Sequence, residues 1–284
     1  MEKCDSRQER GSMREISTQD ILSQRLLRNC VYAPFNTAKE CVYALAGIQS
    51  QFQQWAEVSI MNRCPAATMG DIAALYQQHE LINLWGQRHT LHLYTKEDWR
   101  TVSDIYEPWL SDKNYVSRYP GEMNELIERF AEESPSDHML SRERITAIVE
   151  EHVQDKEVGE YFAYTFIALG CLRGLFFGLP DKPAIKSFVS GRKLNIEPWQ
   201  REPERLSVAL ESYILRYFQY YGPATVADFS HWSGLAQKTA KEYIHKLSGS
   251  MDVYQHNGRD YYTHGDTPDG DGDIPLLGKF DPLF

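Results

Sequence analysis

The sequence predicts a mainly α-helical α+β fold: tandem winged helix-turn-helix modules, several helices closed by a small β-hairpin wing, joined into a concave array. Three observations point there. Residues Thr225 to His264 read as helix, turn, helix and hairpin. Gly234 suits the tight turn between the helices, and an Asn257-Gly258 turn separates Val253-Tyr254 from Tyr261-Tyr262. The same order of elements, helices and then a hairpin, occurs twice before it. Finally, 42% hydrophobic and 25% charged residues over 284 positions is an ordinary globular composition, long enough for several modules.

Residues 1–18 are polar and read as a disordered tail. A first module, 19–120, opens with helices over Thr18 to Asn29 and, after an Asn36/Thr37 cap, Thr37 to Ala46. Further helices are predicted over Gln53 to Arg63 and Met69 to His79, and paired strands over Leu81 to Trp85 and Thr90 to Tyr94. A second, 121–200, has helices over Met123 to Glu133, Arg142 to His152 and the apolar Glu157 to Cys171. Its hairpin joins Leu175-Phe176-Phe177 to Ile185–Val189 around Pro180-Asp181-Lys182-Pro183. The aromatic run Tyr161, Phe162, Tyr164, Phe166, Phe176 and Phe177 has helical spacing and reads as core before it reads as a base-stacking surface. The third, 201–265, begins with an amphipathic helix from Pro203 to Tyr221, apolar at Leu206, Leu210, Ile214 and Phe218. Residues 266–284 form an Asp/Gly/Pro-rich loop and an apolar end, Phe280-Asp281-Pro282-Leu283-Phe284. An end this apolar either tucks into the array or precedes a domain that would bury it.

The formal net charge of -10 runs against a nucleic-acid partner, because phosphate contacts supply most non-specific affinity. The acid is concentrated in Glu122 to Glu133, Glu150 to Glu160 and Asp266 to Asp273, so one face can still be basic. The second helix of the C-terminal motif carries Lys238, Lys241, His245 and Lys246 on its polar positions. Five cysteines, Cys4, Cys30, Cys41, Cys64 and Cys171, show no CxxC spacing. A disulfide framework or a cysteine zinc site is therefore not expected, and a reducing cytoplasm is. The N-terminus lacks a signal region, and Arg173 interrupts the most apolar run before it could span a bilayer.

Two segments could carry chemistry. In Gly47-Ile48-Gln49-Ser50-Gln51, Gly47 is placed to end a helix and the residues after it to be extended. Gln49 and Gln51 then share a face, and paired amides can hold a water in fixed orientation. From spacing alone, a solvated polar loop explains Gln51, Gln53 and Gln54 equally well. In Arg88-His89-Thr90-Leu91-His92-Leu93, the two histidines fall on opposite sides of a strand, which argues against a chelating pair. Arg88 at the turn suits a phosphate or simply solvent. No dinucleotide-binding GxGxxG, phosphate loop, HExxH or GxSxG motif is present. Asp266, Asp269, Asp271 and Asp273 lack the terminal glutamate of a calcium loop.

Together these segments resemble the winged-helix DNA glycosylases of the AlkZ/YcaQ type. Gly47-Ile48-Gln49-Ser50-Gln51 is similar to that family's Gln-aliphatic-Gln motif, and Arg88 to Leu93 to its Arg-x-Thr-Leu-His-Leu hairpin. Gly222 to Phe229 with Trp232-Ser233-Gly234-Leu235, and then Phe280-Asp281-Pro282-Leu283, complete the ordered set. The resemblance implies tandem winged helices curled around double-stranded DNA. It implies a monomeric, nucleoid-associated enzyme that excises cationic N7- or N3-alkylated purines, some interstrand crosslinks included, without metal or organic cofactor.

Gln49 and Gln51 are then the catalytic pair. Arg88, Thr90, His92, Lys238 and Lys241 become the DNA-binding residues, although the third module could be only scaffold. An alkylated purine leaves without being protonated, so two amides that orient water suffice. No lysine nucleophile is needed, and the product is an abasic site. Base flipping is one route to the lesion. Ser50 replaces the motif's usual small or aliphatic residue. The family pattern continues past Phe-Asp-Pro-Leu into a β-rich domain where this sequence stops, which reads as a shortened paralogue, a truncated frame or a form without activity. The alternatives are a non-catalytic winged-helix DNA-binding protein and a protein-interaction scaffold.

Overall fold

The computed structural model describes residues 14–112, 120–133, 139–152, 156–180, 186–271, 277 and 281–283. The Asp181-Lys182-Pro183 turn, Ile185, Asp273, Cys4 and most of the apolar end lie outside them.

The first third begins with α1 (Thr18–Arg28) and α2 (Ala38–Ala44), each opened by a reciprocal cap, Ser17 with Asp20 and Thr37 with Glu40. After α2 the chain turns through Ala46 (φ 53°) and Gly47 (φ 97°), with the Gly47 amide donating to the Val42 carbonyl. The helix thus ends where Gly47 was expected to end it, and a short strand β2 (Ile48–Gln49) follows. Next come α3 (Gln53–Arg63), α4 (Met69–Gln77), and the strands β3 (Leu81–Trp85) and β4 (Leu91–Thr95).

A long helix not expected from the sequence follows, α5 (Trp99–Ser111). It is buried nearly all round. Its polar positions Asp104 and Glu107 meet distant partners: Trp199 Nε1 donates to Asp104 at 2.7 Å and Arg173 Nε to Glu107 at 2.9 Å. Read locally, Asp104, Glu107 and Pro108 look like surface and a helix break.

The middle of the chain holds α6 (Pro120–Glu133), β5 (Leu140–Ser141), α7 (Arg142–His152), α8 (Lys156–Leu172), β6 (Phe176–Gly178) and β7 (Ser187–Ser190). Phe130, Phe166, Phe176 and Phe188 interlock edge to face, so these aromatics are core, as their spacing implied. Tyr164 departs from this at 44% exposed, the Tyr161 side chain lying outside the described residues; the Tyr164 hydroxyl accepts from Trp85 Nε1 at 2.8 Å. Among the described residues no helix is long and apolar enough to cross a membrane.

The last part comprises α9 (Pro203–Tyr221), α10 (Val226–Ser233), α11 (Gln237–Lys246) and the hairpin β8 (Asp252–His256) with β9 (Arg259–Thr263). α9 buries Leu210, Ile214 and Phe218 as its periodicity required, and Tyr213, Tyr217 and Tyr221 beside them.

Two expectations are corrected. The first two hairpins are not separate wings. They join into one six-stranded sheet, β2-β4-β3-β6-β7-β5, through the Asn83–Gly178 pairing of β3 with β6. Nor is the tail disordered up to residue 18. Arg14–Glu15 forms β1, parallel to β8, and Ile16 is buried with its amide on the Gln255 carbonyl. Both pairings are made by backbone groups far apart in sequence, which no local pattern reports.

Candidate active site

The site starts from β2 and β4. Gln49 lies directly opposite His92 in the antiparallel ladder, and residues opposite one another share a face. Gly47 lies further along the same face, against Tyr94. A Cβ at Gly47 would meet the Tyr94 ring at 2.4 Å, so the close approach requires glycine here. The Tyr94 hydroxyl donates to the buried Gln87 side chain, whose Nε2 donates to the Ala46 carbonyl at 2.7 Å. That chain of bonds locks the turn before β2 to the hairpin after β3.

On this frame Gln49 Nε2 donates to Gln51 Oε1 at 3.0 Å, so the two amides do converge. Gln49 is half-buried and Gln51 exposed. Ser50 points the other way, buried, with its hydroxyl on Asn83 Oδ1 at 2.7 Å. That bond gives the departure from the aliphatic pattern a local role in fixing β2 to the sheet.

The turn Gln87–His89 sets the rest of the segment. Arg88 has φ 54°, stays exposed, and donates from Nη1 to the Trp232 carbonyl at 2.9 Å. Gly234, with φ 78°, lies so close that a Cβ would sit 3.0 Å from the Arg88 backbone. The turn of the helix-turn-helix is therefore seated on the Arg88 turn. His89 stacks on Trp109 at 3.6 Å between ring centroids.

Of the residues expected to meet DNA, Thr90 is half-buried and His92 is buried in the wall of a cleft. Thr90 lies in the turn rather than in β4, and its hydroxyl donates to the Gln87 carbonyl at 3.0 Å. His92 is 4% exposed, and its Nδ1 is 2.9 Å from the Thr90 carbonyl. A carbonyl can only accept, so Nδ1 carries the proton and Nε2 keeps its lone pair. Burial, assisted by the Arg88 charge, pushes the imidazole down to about 3. His92 is therefore neutral near pH 7.

Gln49 and His92 line a cleft of about 530 Å³. Arg25, Arg88, Asp228, His231, Trp232, Asp281 and Leu283 form much of the rest of its wall. Arg25 pairs with Asp228 at 3.1 Å. Asp281 is buried and accepts from both Nη atoms of Arg63, at 2.8 and 2.6 Å. The apolar end thus tucks in, at least at 281–283. Arg25 carried no signal in the sequence beyond a helical surface position, whereas Trp232 and Asp281 lie within the motifs named above.

The family pattern described as DNA glycosylase AlkZ-like matches residues 42–284. The chain belongs to the AlkZ-like DNA glycosylase family. A similar solved structure is the Streptomyces sahachiroi DNA glycosylase AlkZ. It is 21% identical, with a TM-score of 0.70 over 88% of this chain and 70% of that one. At that identity the likeness is one of fold. No curated protein matches the chain.

Within this AlkZ-like chain Lys238 and Lys241 are exposed on α11 and neither lines the cleft. Lys246 is engaged by Glu211. Cys30, Cys41, Cys64 and Cys171 are buried free thiols. Among the described residues no cluster of His, Cys, Asp or Glu is placed to hold a metal ion.

Proposed function

We propose that this protein is a monofunctional DNA glycosylase that hydrolyses the N-glycosidic bond of cationic N7- or N3-alkylated purines in double-stranded DNA and leaves an abasic site. The observation that carries this is the Gln49–Gln51 amide pair, bonded at 3.0 Å beside a cleft edged by Arg25 and Arg88. The helices packed on the six-stranded sheet and the C-terminal helix-turn-helix with its hairpin form a concave channel around the duplex. Interstrand crosslinks through the same purine nitrogens are substrates of the same chemistry.

Alkylation makes the purine a cation. Breaking its bond to C1′ sends both electrons to N9 and neutralises that charge, so no acid is required. The sugar becomes an oxocarbenium ion. The Gln51 oxygen and the amide dipoles around it stabilise this cation and orient a water towards C1′. No lysine lines the cleft among the described residues, which supports direct hydrolysis rather than an imine with the enzyme. Arg88, with N–H groups beyond its bond to Trp232, meets a phosphate, as do Lys238 and Lys241 on α11. Release of N7-methylguanine from DNA, abolished in the Gln49→Ala/Gln51→Ala double variant while duplex binding persists, is the expected result. Full release by that variant overturns the assignment.

A further inference from the structure

We propose that His92 is the base that takes the proton from the attacking water. This rests on the glycosylase assignment above and supplies what the amide pair lacks. Water adds a lone pair to C1′ of the oxocarbenium ion, and the new oxonium must lose a proton to become the abasic hemiacetal. A glutamine can orient that water but is a very poor proton acceptor.

The other titratable groups on the cleft wall are poorly suited. Arg25 and Arg88 are cations. Asp228 is held by Arg25 at 3.1 Å and by its own cap, accepting from the Thr225 amide at 2.9 Å. Asp281 has both oxygens on Arg63. The Tyr221 hydroxyl donates to the Leu45 carbonyl at 2.9 Å, and burial pushes the Tyr217 hydroxyl well above its usual range, so both stay protonated. His231 is exposed on α10, on a different element from the strand pair that carries Gln49 and His92.

His92 differs in each respect. It is the cross-strand partner of Gln49, so their Cβ atoms stand about 5 Å apart on one face. The Thr90 carbonyl fixes the tautomer, leaving Nε2 as the acceptor of a ring that lines the cleft. Burial keeps the ring neutral and so always ready to accept. It is a weak base, yet an oxonium is a far stronger acid than an imidazolium, and the transfer runs downhill. The imidazolium then passes its proton to solvent. The balance is one water consumed, one neutral purine, one abasic site and one proton released.

The test is single-turnover excision from a duplex with one N7-methylguanine by wild type and His92→Asn. Asparagine can keep the N–H bond to the Thr90 carbonyl while removing Nε2. The expected rate falls about 10²-fold with unchanged affinity for an abasic-site duplex. Added azide, a nucleophile with no proton to lose, restores the variant's rate and forms the deoxyribosyl azide. A histidine that only braced the hairpin would not be bypassed in this way. Should His92→Asn not fold, His92→Gln is judged by the same two criteria. A variant as fast as wild type, or a loss that azide does not relieve, overturns the proposal alone. No release by wild type overturns the glycosylase assignment and this proposal with it.

Discussion

Arg63 and Asp281 grip each other across 218 positions of chain with neither side chain exposed to solvent. The remaining Arg63 donors are also satisfied, by Asn29 and the Ser59 carbonyl. The pair fastens the end of the chain to α3 and makes Asp281 part of the cleft wall. Asp281→Ala leaves a guanidinium buried without its counter-charge, a loss of about 3–5 kcal/mol. Urea unfolding at neutral pH measures it. A change below about 1 kcal/mol, the scale of an exposed pair, would contradict the role assigned to this ion pair.

Acid should destabilise the protein through His92. Burial holds its imidazole near 3, against about 6.5 in an unfolded chain. Between those values the unfolded chain binds a proton that the folded one refuses. Stability is therefore greatest above the unfolded value and is lost as pH falls towards 3. Between pH 7 and pH 5 the loss from this one group is about 2 kcal/mol. Burial also lowers the His79 value, so the His92→Asn variant is the reference that isolates His92. Equal pH dependence in wild type and variant would show that His92 does not titrate this way.

DNA binding through these cations should be visible in salt. Arg88→Ala and the Lys238→Ala/Lys241→Ala pair should each flatten the fall of log affinity with log salt, by about 0.9 for each phosphate no longer neutralised. Binding that keeps the wild-type slope in all of them would remove these residues from the interface.

Much of the fold and the convergence of Gln49 with Gln51 were legible locally. Gln53–Arg63, Arg142–His152 and Pro203–Tyr221 form helices with the predicted ends, because their apolar spacing and flanking residues agree. Gln49 and Gln51 meet because a glycine-ended helix followed by extended chain puts alternate residues on one face. What stayed hidden was non-local. In α5 the acids Asp104 and Glu107 are buried only because Arg173, Trp199 and Arg205, far along the chain, donate to them. The shared sheet depends on Asn83 meeting Gly178, and β1 on a hairpin at the other end of the chain. Thr90 and His92 have the residue types of a DNA-contacting hairpin. Only the turn geometry shows that one closes the turn and the other is buried.

The central claim is that Gln51 participates in breaking a glycosidic bond. Its most direct test is a time course of alkali-revealed cleavage of an oligonucleotide duplex with one N7-methylguanine, comparing wild type with Gln51→Ala. Gln51 is exposed, so the substitution should leave stability nearly unchanged. Cleavage by wild type that is slowed about 10²-fold or more in the variant is the predicted result. Equal rates, or no cleavage by a folded wild type that binds the duplex, would contradict it, the latter leaving a DNA-binding protein without this activity.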